Sequence, residues 1–201
     1  MSETNNNVIR LSKSDTALRG TLALDGSKSI SNRALIILAL AGENPDMWLT
    51  NLSTSKDTQT LRHLLAQNES SFDAGDAGTT FRFLTAFLST QPGVQTLTGS
   101  PRMLERPVGP LVEALRELGA DLEFLRKEGY PPLKIGEMTP KTRSIRVAAN
   151  VSSQFLSALL LIAPYLPEGL ELIPEGPLVS RPYLEMTLGL MRHFGATVDW
   201  Q

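Results

Sequence analysis

The sequence predicts an α/β fold made of one unit used three times: strand, buried helix, strand, amphipathic helix, strand. Three observations predict it. A segment with a small, hydroxyl-rich start, an apolar helical body and a Gly or Pro stop occurs at residues 26–42, 75–93 and 150–169. A second kind of helix opens with Arg106-Pro107 and again with Arg181-Pro182, and residues 56–66 read as a degenerate third copy. Each Arg-Pro helix runs into a Gly-Ala stop and then a strand-like stretch, D-L-E-F-L at 121–125 and T-V-D-W-Q at 197–201. Self-similarity of this kind marks repetition of one supersecondary unit.

The elements follow in order. The first seven residues, M-S-E-T-N-N-N, are polar, lack the apolar stretch of a signal peptide and read as disordered. Residues 8–12 (V-I-R-L-S) suggest a short strand, and 20–24 (G-T-L-A-L) alternate as a strand does. In 26–42, 75–93 and 150–169 the Ser, Thr and Asp residues suit helix starts, and the bodies are apolar nearly all round, which predicts burial. In the Arg-Pro helices Pro is expected at the first helical position and Gly just past the end, with Leu111, Leu115 and Leu118 on one face. The third copy reaches residue 201 inside a predicted strand, and unpaired strand backbone is costly when buried. The expectation is therefore a truncated third unit.

Composition narrows the class. With 201 residues and 41% hydrophobic content the chain can form a core of its own. The apolar run at 35–41 is too short to span a bilayer. Cysteine is absent, so no disulfide or thiolate metal site exists. A net charge of −2 argues against a general nucleic-acid binder. The simplest expectation is a soluble, cytoplasmic protein. Of 19 positive residues most are Arg, whose planar fork grips carboxylate and phosphate in two-point contacts, and several lie among Gly, Ser and Thr.

A helix N-terminus carries free N–H groups and partial positive charge. The three buried-helix starts hold Lys28, Ser29 and Arg33; Gly78, Thr79 and Arg82; and Ser152, Ser153 and Gln154. Capping alone explains the hydroxyls of any single helix. Three such starts, two with cations beside them, point to a polyoxygenated, phosphorylated ligand. The loop T-G-S-P-R-M-L-E-R-P (98–107) adds Arg102 and Arg106 in a Pro-restricted turn, readable as an anion site or as a surface loop with a Glu105–Arg pair. Asp57 and Asp76 read as helix caps, and His63 and His193 as solvent-facing. No Walker A, G-x-G-x-x-G or H-E-x-x-H motif occurs.

G-S-K-S-I-S-N-R-A, D-A-G-T-T-F-R-F, L-T-G-S-P-R-M-L-E-R-P, G-Y-P-P-L, V-S-S-Q-F-L-S-A-L-L and S-R-P-Y-L-E-M-T-L, in this order, resemble the 5-enolpyruvylshikimate-3-phosphate synthases (3-phosphoshikimate 1-carboxyvinyltransferases). The resemblance covers about residues 20–201 and the N-terminal half of a family member. It implies two lobes, each of three βαβαββ units, with ligands between them. Residues 1–19 would associate with the other lobe, and 20–201 would form the substrate-binding N-terminal lobe, incomplete at its C-terminal end.

The implied reaction moves the enolpyruvyl group of phosphoenolpyruvate to the 5-hydroxyl of shikimate 3-phosphate, releasing phosphate, without metal or cofactor. By motif, the catalytic Lys28 would touch both ligands. Ser29, Arg33, Ser152, Ser153, Gln154, Ser180 and Tyr183 would hold shikimate 3-phosphate. Asp76, Gly78, Thr79, Arg102 and Gln154 would serve phosphoenolpyruvate. The acid/base carboxylates would come from the other lobe, so this chain alone is expected to be inactive. The implied partners are these small molecules and the C-terminal lobe of the same protein, with no nucleic acid and no membrane; the full-length protein would be a monomer.

The chain departs from the family pattern in Asp25 for Pro, Asp76 for Asn and Phe83 for Pro, and in a short stretch between Ala66 and Asp73 that suggests strands lost from the first unit. The alternatives are a UDP-N-acetylglucosamine enolpyruvyl transferase-like enzyme, which typically has a loop Cys and Lys-Asn where this chain has Lys28-Ser29, and a non-catalytic anion-binding module.

Overall fold

The computed structural model describes residues 12, 19–148, 152–178 and 180–200. The expectations for residues 1–11, including most of the strand at 8–12, lie outside the described residues. Among the described residues the order is α1 (Lys28–Leu40), α2 (Pro45–Trp48), α3 (Lys56–Leu65), β1 (Ser71–Asp73), α4 (Gly78–Ser89), β2 (Val94–Thr98), α5 (Pro101–Leu104) and α6 (Gly109–Leu118). Then come β3 (Leu122–Phe124), β4 (Leu133–Gly136), β5 (Ser144–Ala148), α7 (Ser153–Ile162), a 3₁₀ turn (Ala163–Tyr165), β6 (Glu171–Glu175) and α8 (Arg181–His193).

The three predicted apolar helices are α1, α4 and α7, and they are buried as their all-round apolar sequences require. They pack against one another at the centre of the molecule. The predicted amphipathic helices are α3, α6 and α8. Each lies against two of the central helices: α3 on α1 and α4, α6 on α4 and α7, α8 on α7 and α1. Leu111, Leu115 and Leu118 are all fully buried and form the inner face of α6. His63 and His193 are exposed, as expected.

Two small sheets flank the helices. One has the order β1-β2-β4-β3, with β1 parallel to β2 (Phe72 opposite Leu97) and the hairpin β3–β4 added antiparallel (Leu97 opposite Leu133). The other is a parallel pair, β5 with β6, with Ile145 opposite Leu172. Central-helix starts and stops follow local chemistry. Ser27 and Ser152 accept N–H bonds from Ile30 and Gln154. Gly119 closes α6 at φ 111°, where a side chain would also run into the Thr139 carbonyl, so only glycine fits.

Several expectations need correction. Residues 20–24 form no strand; Leu22 and Leu24 are about four-fifths exposed, and no described strand pairs with them. Residues 197–200 are likewise not a strand. Pro107 does not open a helix. α6 begins at Gly109 with Pro110 in its first turn, because the N–H groups of Val108 and Gly109 bond instead to the carbonyl of Gly129.

Candidate functional site

The first turns of five helices come together on one side of the molecule. Lys28, the first residue of α1, extends Nζ to within 3.2 Å of Asp57 Oδ2 in the first turn of α3. The Asp57 carbonyl accepts a 3.0 Å bond from Thr80 Oγ1 in the first turn of α4. Arg82, one turn past Gly78, lies 5.3 Å over the ring of Phe155 in the first turn of α7. Arg33 of α1 reaches Ser157 of α7 and Thr187 of α8. Helix dipoles and free N–H groups thus favour anions on this side.

Two arginines dominate its interior. Arg33 is only 2% exposed. Its Nε donates to Thr187 Oγ1 at 2.6 Å, Nη1 to the Ser29 carbonyl at 2.9 Å and Nη2 to Ser157 Oγ at 2.9 Å. The guanidinium also stands 5.4 Å from the Phe83 ring centre and 6.0 Å from that of Tyr183. Arg82 is 5% exposed; its Nη1 and Nη2 donate to the carbonyls of Gly78 and Pro107, and its Nε has no partner among the described residues. Neither arginine belongs to an ion pair among those residues. Burial lowers the pKa of Arg33 to about 10. Burial, and then the charge of Arg106, does the same for Arg82.

Arg82 and Arg106 meet over Gly78, the first residue of α4. A Cβ at Gly78 would collide with Arg106 Nη1 and lie 2.9 Å from Arg82 Nη1, so the absence of a side chain makes room for two guanidinium groups at a helix start. The helix-start pattern pointed to Arg82 and the 98–107 loop to Arg106 as anion-site candidates, but the family resemblance assigned neither to a ligand. The available signal was the spacing: Arg82 stands one turn beyond Gly78.

The other predicted residues are distributed as follows. Ser29 lies half-buried in the first turn of α1. Ser152 caps α7, with Ser153 and Gln154 as its first two residues, both half-buried. Tyr183, in the first turn of α8, is 46% exposed. Ser180 precedes that helix in the left-handed conformation, φ 60°, which is uncommon for a residue other than glycine. Thr79 is the second residue of α4. Arg102 is exposed on α5, and Ser100 ties its loop to Asp76 and Gly75, just before α4. The expectation that Asp57 and Asp76 cap helices is corrected. Ser55 caps α3 while Asp57 pairs with Lys28, and Asp76 accepts from Ser100 Oγ while α4 has no side-chain cap. Glu105 forms no ion pair among the described residues.

The family model for EPSP synthase (3-phosphoshikimate 1-carboxyvinyltransferase) matches residues 12–69 and 60–201. The chain belongs to the EPSP synthase family. The 3-phosphoshikimate 1-carboxyvinyltransferase of Bacteroides fragilis strain YCH46 is 50% identical over 183 residues, covering 91% of this chain and 44% of that protein. That of Pseudoalteromonas atlantica is 41% identical over 210 residues, covering 92% of this chain and 48% of the relative. The chain thus spans less than half the length of these relatives. An EPSP synthase structure from Acinetobacter baumannii superposes with a TM-score of 0.70 at 20% identity, covering 90% of this chain and 46% of that one. That likeness shows a shared mixed α/β fold with EPSP synthase. Among the described residues no helix is long and apolar enough to cross a membrane.

Proposed function

We propose that this chain is the front lobe of a 3-phosphoshikimate 1-carboxyvinyltransferase and carries mainly the shikimate 3-phosphate half-site. The complete enzyme would join the 5-oxygen of shikimate 3-phosphate to the enol carbon of phosphoenolpyruvate. The bond from that carbon to the phosphate oxygen breaks, and phosphate leaves with the proton given up by the hydroxyl. The observation that carries this reading is the meeting of helix starts around two buried arginines that no carboxylate among the described residues pairs with. Charge left unbalanced at such a place suits a doubly anionic ligand.

In this reading Lys28 bridges the two ligands. Ser29, Arg33, Ser152, Ser153, Gln154, Ser180 and Tyr183 hold shikimate 3-phosphate, while Asp76, Gly78, Thr79, Arg102 and Gln154 serve phosphoenolpyruvate. Lys28 already stands against Asp57, a pair that an incoming phosphate or carboxylate would compete for. Positioning and fixed positive charge are what this lobe would contribute; proton transfer falls to carboxylates of a second lobe. That lobe is the proposed partner, with residues 1–19 associated with it, in a cytoplasmic monomer that binds neither nucleic acid nor membrane.

We further propose that the lobe is a pseudo-threefold repeat of βαβαββ units. The closed ring of packing, in which each amphipathic helix bridges two central helices, supports it.

Calorimetric titration with shikimate 3-phosphate, with and without phosphoenolpyruvate, tests the reading. Binding that disappears in Arg33→Ala and Ser153→Ala is expected. A folded chain with no affinity would sink the half-site. The isolated chain is also expected to show no turnover; steady phosphate release from both substrates would overturn the assignment of acid/base groups to the second lobe.

A further inference from the structure

The buried contacts of Arg33 form a closed set whose hydrogen-bond directions can be worked out. Thr187 Oγ1 lies 2.8 Å from the Tyr183 carbonyl, which can only accept, so the Thr187 hydroxyl proton is committed there. In the 3.0 Å contact between Ser157 Oγ and Thr187 Oγ1, Ser157 must then be the donor. Both hydroxyl oxygens are left with lone pairs facing the guanidinium, and they receive its Nε and Nη2 hydrogens. Each hydroxyl proton in the set has one place to go. Arg33, Ser157 and Thr187 are each at least 98% buried, so water does not compete.

The trio also links three helices at one level. Arg33, Ser157 and Thr187 belong to α1, α7 and α8. One turn before each stands Ser29, Ser153 or Tyr183, and all three of these are in the proposed shikimate 3-phosphate set. Two of those turns are joined to the trio directly: Arg33 Nη1 bonds to the Ser29 carbonyl and Thr187 Oγ1 to the Tyr183 carbonyl. We infer that Ser157 and Thr187 are positioning residues: through Arg33 they lock the first turns of α1, α7 and α8 into one frame, so that Ser29, Ser153 and Tyr183 meet a single ligand. The role rests on the shikimate 3-phosphate reading. The arginine keeps two further N–H groups beyond its three bonds, and burial of an unpaired cation leaves it in demand of an anion.

The experiment uses the whole chain with Thr187→Val, Ser157→Ala and Thr187→Ser, and takes two readings from each. The first is the Arg33 Nε–H signal in an arginine-labelled NMR spectrum. It should be distinct and slow to exchange in the parent chain, persist in Thr187→Ser, and be lost to exchange in Thr187→Val. The second is affinity for shikimate 3-phosphate, expected to fall roughly tenfold or more in Thr187→Val and Ser157→Ala and to stay within about twofold in Thr187→Ser. Should Thr187→Val not fold, Ser157→Ala, which removes a single oxygen, carries the same comparison. A parent chain without affinity overturns the ligand reading and this role with it. Parent-like affinity in folded Thr187→Val or Ser157→Ala overturns the positioning role alone.

Discussion

Arg82 carries a positive charge where carbonyls, an aromatic ring and a second arginine surround it. Its pKa is lowered to about 10, chiefly by burial. That corresponds to a cost on the order of 3 kcal/mol for keeping it protonated in the fold. The unfolded chain holds this proton more tightly, so by linkage the cost is present in full at neutral pH and declines as pH rises above about 10. A charge retained at such expense in the first turns of a helix calls for function. Arg82→Met is therefore expected to keep or raise the melting temperature while affinity for phosphoenolpyruvate or inorganic phosphate falls at least about tenfold. Scanning calorimetry beside titration checks both; a clearly lower melting temperature with unchanged affinity would make Arg82 a structural residue. At this scale the sequence was informative in kind but not in contact. It named Arg33 and Arg82 at helix starts. It did not reveal that Ser157 and Thr187 enclose one and Gly78 makes room for the other, because those contacts span up to 154 residues of chain.

Among the elements, α5 shows how a very short helix is held in place. Ser100 Oγ accepts the Met103 N–H at 3.3 Å and donates to Asp76, while the Ser100 N–H bonds to the Gly75 carbonyl at 3.0 Å. One residue thus caps α5, fixes the loop before α4 and occupies the Asp76 carboxylate. Loss of a Ser cap costs about 1 kcal/mol, which in a chain of this size lowers the melting temperature by roughly 2–4 °C. Ser100→Ala is expected to do that, and also to loosen Arg102 and free Asp76 to repel anions. Phosphoenolpyruvate affinity should drop several-fold, with Ser100→Thr close to the parent. A melting shift without an affinity change would separate the cap from the site.

The six longer helices were legible because their apolar pattern and Ser or Gly ends are local properties. Boundaries failed where a distant partner decided them. Gly129 sets the start of α6, and residues 20–24 alternate like a strand yet have no strand to pair with among the described residues.

Across the whole molecule, the stretch from β1 to β3 and the stretch from β5 to residue 200 share a set of local contacts. β1 runs parallel to β2, and β5 to β6. The Ala120 N–H bonds to the Leu115 carbonyl after α6, and the Ala196 N–H to the Met191 carbonyl after α8, both at 2.9 Å. Arg116 Nε then bonds to the Leu122 carbonyl at 2.9 Å, and Arg192 Nε to the Val198 carbonyl at 3.3 Å. β4 lies between β2 and β3. A cavity of about 770 Å³ lies against β6 and residues 197–200, lined by Leu160, Leu172, Leu188, Met191, Val198 and Trp200 among others. This explains the failed strand expectation: Val198–Trp200 has strand sequence but, among the described residues, no strand beside it, and ladder bonds need two partners.

On the proposed repeat, the occupant of this cavity is an antiparallel strand with apolar residues at alternate positions, as Leu133 and Ile135 are buried around exposed Lys134 in β4. A peptide copying residues 131–138 is therefore expected to bind in trans. It should shift the emission of Trp200, now 44% exposed, toward the blue and slow amide exchange at Leu172 and Ile173. Trp200→Phe should abolish the optical change and keep the exchange effect. If neither signal moves at millimolar peptide, the cavity is not a strand site, and the third unit does not share the plan of the second.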